Sequence, residues 1–103
     1  VMKPLELVKK EDGSYFLIGE LDRNTVPAFW QQRASWLPDQ QNVNLNLSQL
    51  KRVDSAGMAM LLHLKNELNN NRQQLVLLGV PEQLKVLLTL SNVDAILNND
   101  AVA

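Results

Sequence analysis

The sequence predicts an α/β domain, a small mixed sheet with helices packed against it, in the order β-β-α-β-α-β-α. Three observations carry that expectation. Segments rich in β-formers or alternating with a period of two stand at residues 5–9, 15–21 and 43–47. Apolar residues recur at helical spacing in three other stretches. Residues 74–80, QLVLLGV, form a continuous apolar run. Helices between strands favour parallel pairing, with the helices laid on the sheet.

LELVK, residues 5–9, alternates and predicts the first strand, and Asp12-Gly13 supplies a hairpin turn signal. YFLIGEL, residues 15–21, is the second strand. A helix is expected over 25–37, capped by Asn24 or Thr25, with Pro27 tolerated in its first turn. Val26, Phe29, Trp30, Ala34 and Leu37 recur at helical spacing and should face a core, and Pro38 closes the helix. VNLNL, residues 43–47, alternates apolar and polar side chains. The second helix spans 56–70 and ends in the Asn69-Asn70-Asn71 run. The run 74–80 reads as a strand covered on both faces, and Pro81 opens a third helix carrying Leu84, Leu87, Leu88 and Leu90. Ala95–Leu97 is a weak last segment, either a pairing strand or a short helix. With no repeat and no linker, 103 residues are expected to form one domain, 1–103.

Composition excludes several function classes. A net charge of −1, with no Lys/Arg cluster longer than two, argues against nucleic acid or an anionic membrane surface as the main partner. Without cysteine, and with His63 as the single histidine, no metal is expected, and without a Gly-rich phosphate loop followed by Lys-Ser/Thr no nucleotide cofactor is expected either. The amino-terminal VMKPLELVKKEDG lacks the apolar core of a signal peptide, and no run approaches 18 apolar residues. A cytoplasmic location is the expectation.

The informative stretch is VDSAGMAMLLHL, residues 53–64. A serine nucleophile needs a base within hydrogen-bond reach, yet His63 lies eight residues after Ser55, a rise of about 12 Å on a helix. The nucleophile-elbow pattern is missing its first glycine, because Val53 stands there. Catalysis is therefore not expected. Asp54 and Ser55 are both helix-cap residues. Advancing about 100° per residue from Ser55 gathers Met60, Leu61, Leu64 and Leu68 into a core stripe. Met58, Ala59 and Leu62 fall on the other side, beside Ser55. A helix oily on two sides suggests that the second side docks on a partner. A phosphoryl group on Ser55 would be tolerated at the helix start, while placing charge in that apolar patch. Glu20 and Asp22 read as structural or interface carboxylates.

Three segments, GELD at 19–22, VDSAGMAMLL at 53–62 and LVLLGV at 75–80, resemble the STAS domain family, the fold of bacterial anti-sigma-factor antagonists. The resemblance runs over nearly the whole chain. It places the family's regulatory Ser/Thr at Ser55 and the acidic residue of the GELD segment at Asp22. VPAFWQQR at 26–33 and LLHL at 61–64 are most similar to the STAS subunit of the ABC transporter that maintains outer-membrane lipid asymmetry. That likeness implies a non-enzymatic cytoplasmic subunit, held at the inner membrane through its partner and not inserted. It implies binding of the transporter's ATPase subunit, in a complex with permease and substrate-binding subunits, through Ser55, Met58, Ala59, Leu62, Asp54 and Asp22. The alternative is an anti-sigma-factor antagonist switched by phosphorylation of Ser55. Ala56 departs from the second serine usual in phosphorylated antagonists, and Met58 from the commoner leucine.

Overall fold

A computed structural model describes residues 4–91. They form β1 (Leu5–Lys9), β2 (Tyr15–Leu21), α1 (Val26–Gln31), α2 (Arg33–Trp36), β3 (Asn42–Asn46), β4 (Leu50–Val53), α3 (Ser55–Asn70), β5 (Gln74–Leu78) and α4 (Glu82–Leu90). The sheet is mixed. β1 and β2 make an antiparallel hairpin, and β3 runs parallel to both the start of β2 and the whole of β5.

β4 was not expected from the sequence. Leu50-Lys51-Arg52-Val53 is too short and too charged to announce a strand, yet it pairs parallel with the end of β2, Leu21 opposite Val53. The turn before it explains the placement. Asn46 Oδ1 accepts the Ser48 N–H at 2.8 Å, and the Leu47 carbonyl accepts the Leu50 N–H at 3.1 Å. This asparagine turn ends β3 and brings the chain back alongside β2. At Gly19, with φ near 119°, the β2–β4 register shifts by a bulge.

The expected helix over 25–37 is broken in two. Gln32, with φ −96° and ψ 15°, leaves helical geometry between α1 and α2. Side chains take up carbonyls near the break: Trp36 Nε1–H donates to Phe29 O at 2.9 Å and Ser35 Oγ–H to Gln32 O at 2.7 Å. The bend stacks Trp36 on Phe29, their ring centroids 4.4 Å apart. Val26, Phe29, Trp30 and Leu37 are half-buried against the core, but Ala34 is exposed, contrary to the expected stripe.

The core lies between one sheet face and the helices. Leu17, Leu21, Val43, Leu45, Val53, Leu75 and Leu77 meet Met60, Leu61, Leu64 and Leu68 of α3 and Leu84 and Leu88 of α4 within one buried cluster. Each such leucine contributes about 1.5–3 kcal/mol relative to exposure. β5 is covered on one face only: Val76 and Leu78 stay half-buried, which corrects the expectation of two covered faces. The expected segment 95–97 lies outside the described residues.

Gly57 sets how closely α3 approaches the sheet. A Cβ built there would collide with the Leu21 carbonyl oxygen and lie 2.7 Å from Leu21 Cγ. Gly57→Ala should therefore lower stability by about 1–2 kcal/mol, even though alanine gains about 1 kcal/mol in helix propensity. Urea unfolding measures this, and a more stable variant would contradict the close approach.

Candidate functional site

The carboxyl ends of β2 and β4 meet the amino end of α3, and two aspartates build the junction. Asp54 is the N-cap: its Oδ1 accepts the Gly57 N–H at 3.1 Å and its Oδ2 accepts the Arg23 N–H at 3.0 Å. Its own N–H donates to the Leu21 carbonyl at 3.2 Å. One carboxylate thus ties the helix start to the loop after β2. Partial burial alone would raise the Asp54 pKa. The N–H bonds from Arg23, Gly57 and Ala56, with the Arg52 cation nearby, outweigh it and hold the carboxyl below its usual range.

Asp22 is buried, at 4% exposure. Its Oδ1 accepts the N–H groups of Asn24 and Thr25 at 2.9 and 3.1 Å, and Oδ2 faces Arg52 Nε at 3.6 Å. The Thr25 hydroxyl donates to the Glu20 carbonyl at 2.7 Å and accepts the Asp22 N–H at 3.1 Å. Asp22 therefore shapes the turn into α1 and offers little surface to a partner, whereas Glu20 is exposed.

With Asp54 serving as the cap, Ser55 is released from that duty. It is the first residue of α3, it is exposed, and none of the described residues is hydrogen-bonded to its hydroxyl. Ala59 and Leu62 are half-buried along the same outer face, Leu62 also packing against the core cluster, and His63 and Asn66 are exposed. Met58 is not on that face. At 9% exposure it belongs to the core cluster, a correction to the two-sided reading. The reason is that α3 is flanked as well as floored. Glu67 pairs with Arg33 of α2 at 3.0 Å and His63 lies 6.2 Å from the Trp30 ring of α1, so those helices cover one flank. On the helical wheel Met58 falls on the opposite flank of α3, and α4 also packs on that helix.

α4 closes the other bank of the site. Gln83 Oε1 accepts the Val53 N–H at 3.2 Å, and a groove of about 380 Å³ runs between Val53, Asp54 and Ser55 on one side and Gln83, Val86 and Leu87 on the other. Trp30 packs against the core as expected but is only half-buried, with the Arg33 guanidinium 4.6 Å from its ring and His63 6.2 Å from it. It borders the outer face of α3. A tryptophan three residues before an arginine was the available signal. Chemically, the arrangement offers a free hydroxyl beside an apolar strip. His63 stands two turns along α3 from Ser55, too far to act as its base.

A family model described as "Mlab, STAS domain" matches residues 15–98. The chain is 38% identical over 87 residues to the intermembrane phospholipid transport system binding protein MlaB of Haemophilus influenzae, covering 80% of this chain and 83% of that one. It is 32% identical over 79 residues to the Escherichia coli protein of the same name, covering 77% and 79%. Among solved structures, the fold is similar to the phosphorylated form of the Bacillus cell fate determinant SpoIIAA, with a TM-score of 0.63 at 18% identity over 86% of this chain and 84% of that one. The protein TM1081 is similar as well, with a TM-score of 0.65 at 18% identity over 99% and 83%.

At neutral pH, Asp54→Ala should cost about 1 kcal/mol through the lost cap, while Asp54→Asn keeps most of it. Because the folded pKa is lowered, the Asp54 charge stabilises the fold above the unfolded value of about 3.9. That contribution is lost as pH falls through the folded pKa. Chemical denaturation between pH 7 and 2.5 should show the gap between the unmodified chain and Asp54→Asn shrinking toward acid.

Proposed function

The chain belongs to the MlaB-type STAS family, and from that premise we propose that it is the non-catalytic STAS subunit of an ABC transporter for phospholipids. It binds an MlaF-like ATPase subunit, within a complex that includes permease and substrate-binding subunits. It sits on the cytoplasmic side of the inner membrane, held there by that partner. No described helix is long and apolar enough to cross a membrane, in keeping with attachment through another protein.

The observation that carries this reading is the outer face of α3. Ser55, Ala59 and Leu62 recur at i, i+4 and i+7 on a helix whose other sides are taken up by the sheet and by neighbouring helices. The free hydroxyl heads that strip and supplies orientation, and Leu62 supplies apolar area. Asp22 and Asp54 act from behind, by fixing the loop and the helix start from which Ser55 emerges. Met58 supports the strip from within the core. Relatives at 32–38% identity carry the name of a phospholipid transport system binding protein, which supports the same assignment.

A second reading is favoured by one feature. The exposed, unengaged Ser55 hydroxyl at a helix start is also suited to phosphorylation, as in an anti-sigma-factor antagonist. A phosphoryl group there gains from the helix N-terminus but meets Asp54, whose carboxylate already occupies the Gly57 N–H.

Co-purification with the ATPase subunit should be lost in Ser55→Arg, with the thermal melt unchanged, and in Leu62→Asp, assayed well below that variant's own melting temperature because Leu62 also packs on the core, with affinity reduced at least about tenfold in each. Normal binding by both variants would refute this face. Incubation with a cognate serine kinase and ATP, followed by intact mass, should show no added phosphate. One phosphate on Ser55 would favour the second reading.

A further inference from the structure

We infer that the open edge of β1 pairs with β1 of a second copy of this chain, antiparallel and with Val8 on the two-fold axis, so that one sheet runs through both copies. The pairing is independent of the reading of α3. β1 is an edge strand: among the described residues it pairs with β2 alone. The ladder fixes which backbone groups are spare. Glu20 N–H donates to the Pro4 carbonyl at 2.9 Å and Lys10 N–H to the Ser14 carbonyl at 2.8 Å, so the even-numbered residues turn their backbone toward β2. The N–H and C=O groups of Leu5, Leu7 and Lys9 therefore point away from β2, in the spacing that another antiparallel strand takes up.

The charges on the strand specify its occupant. Charged side chains usually blunt a sheet edge by repelling a newcomer. Glu6 and Lys10 instead carry opposite signs on the same outer sheet face, and both are exposed. About 13 Å of strand separates them, too far for them to pair with each other. Neither takes part in an ion pair among the described residues. An antiparallel copy in which Val8 faces its own counterpart sets Glu6 of each chain directly opposite Lys10 of the other. The two ion pairs then flank a Val8–Val8 contact, while Leu7 and Lys9 face each other across the seam and exchange their spare hydrogen bonds. The Lys10 ammonium is already held over the outer face, 4.9 Å from the Phe16 ring centroid.

The helical side of the seam has room for this partner. A groove of about 360 Å³ lies beside the edge, between Leu5 and Leu7 of β1 and Ala28, Phe29, Gln32 and Trp36 of the α1–α2 segment. A two-fold axis perpendicular to the sheet keeps the helices of both copies on one side. Leu7 and the Lys9 stem of the second copy thus enter on the side of this groove, beside its aromatic and amide lining. A strand edge of 5 residues and one groove fall below the about 800 Å² per partner of a stable interface, so the pair is weak, with a Kd of about 100 µM. None of the groove's lining comes from α3 or α4, so each copy keeps its Ser55 face clear and the dimer is bivalent.

Sedimentation equilibrium of the full chain from about 10 µM to about 1 mM tests the pairing. Glu6→Lys and Lys10→Glu each turn two attractions into two repulsions, so each variant alone should associate about tenfold more weakly or not at all. Mixed in equal amounts, the two variants restore both ion pairs and should associate as well as the unmodified chain. Both positions are exposed, and the melting temperature of each variant should match that of the unmodified chain. A second arm uses the absence of cysteine from the chain. Val8→Cys places one thiol per chain across a non-hydrogen-bonded pair, where Cα atoms about 4.5 Å apart accept a disulfide. It should oxidise to a linked dimer faster than Asn70→Cys, an exposed control at the far end of α3. A chain that stays monomeric to about 1 mM, charge variants that associate like the unmodified chain, or a mixture that does not recover association each overturn the inference. ATPase binding is not read in this experiment, so its outcome is separate from that of the α3 docking face.

Discussion

The contact on which the architecture depends is the first turn of α3 against the last residue of β2. Gly57 brings helix backbone onto Leu21 with no side chain between them. The Asp54 N–H closes onto the Leu21 carbonyl, and the Asp54 carboxylate holds both Gly57 and Arg23. A helix seated so tightly at its start has little freedom in azimuth or tilt. The inward stripe of Met60, Leu61, Leu64 and Leu68 follows from that seating, and so does the direction in which Ser55 emerges.

Both aspartates near the site are scaffold, for the same physical reason. A carboxylate has several acceptor positions, and a chain leaving a strand end exposes several unpaired N–H groups. Asp22 satisfies two of them after β2, and Asp54 satisfies one on each side of the gap between loop and helix. Their charge is consumed internally. Ser55, the first residue of the helix after that cap, is thereby left with an exposed hydroxyl that no described residue engages.

α3 is also wedged laterally. Arg33 reaches from α2 to Glu67 and the Trp30 ring rests near His63, while α4 fastens to β4 through Gln83 and Val53. The break at Gln32 serves this arrangement, since folding Trp36 onto Phe29 compacts the α1–α2 segment beside α3. What remains of α3 is a narrow outer strip bordered by Trp30 on one flank and by the α4 groove on the other. Small differences in azimuth decide which side chains reach it: Leu62 does, and Met58, about 40° further round, does not.

Local pattern alone determined much of this protein. The hairpin, the strand at 15–21, the 16-residue motif helix with its core stripe and the proline-led last helix all follow from two- and 3.6-residue periodicities and from turn and cap chemistry. Ser55 at the head of the motif helix was equally legible. Tertiary structure decided what depends on neighbours distant in sequence. Leu50–Val53 becomes a strand because β2 offers a free edge there, not because its own side chains prefer one. Met58 and Asp22 are buried because flanking elements close over them, and Trp30 and Val86 reach the rim because theirs do not. Periodicity reports which way a residue points from its own element; exposure is set by what stands opposite, and only the assembled chain supplies that.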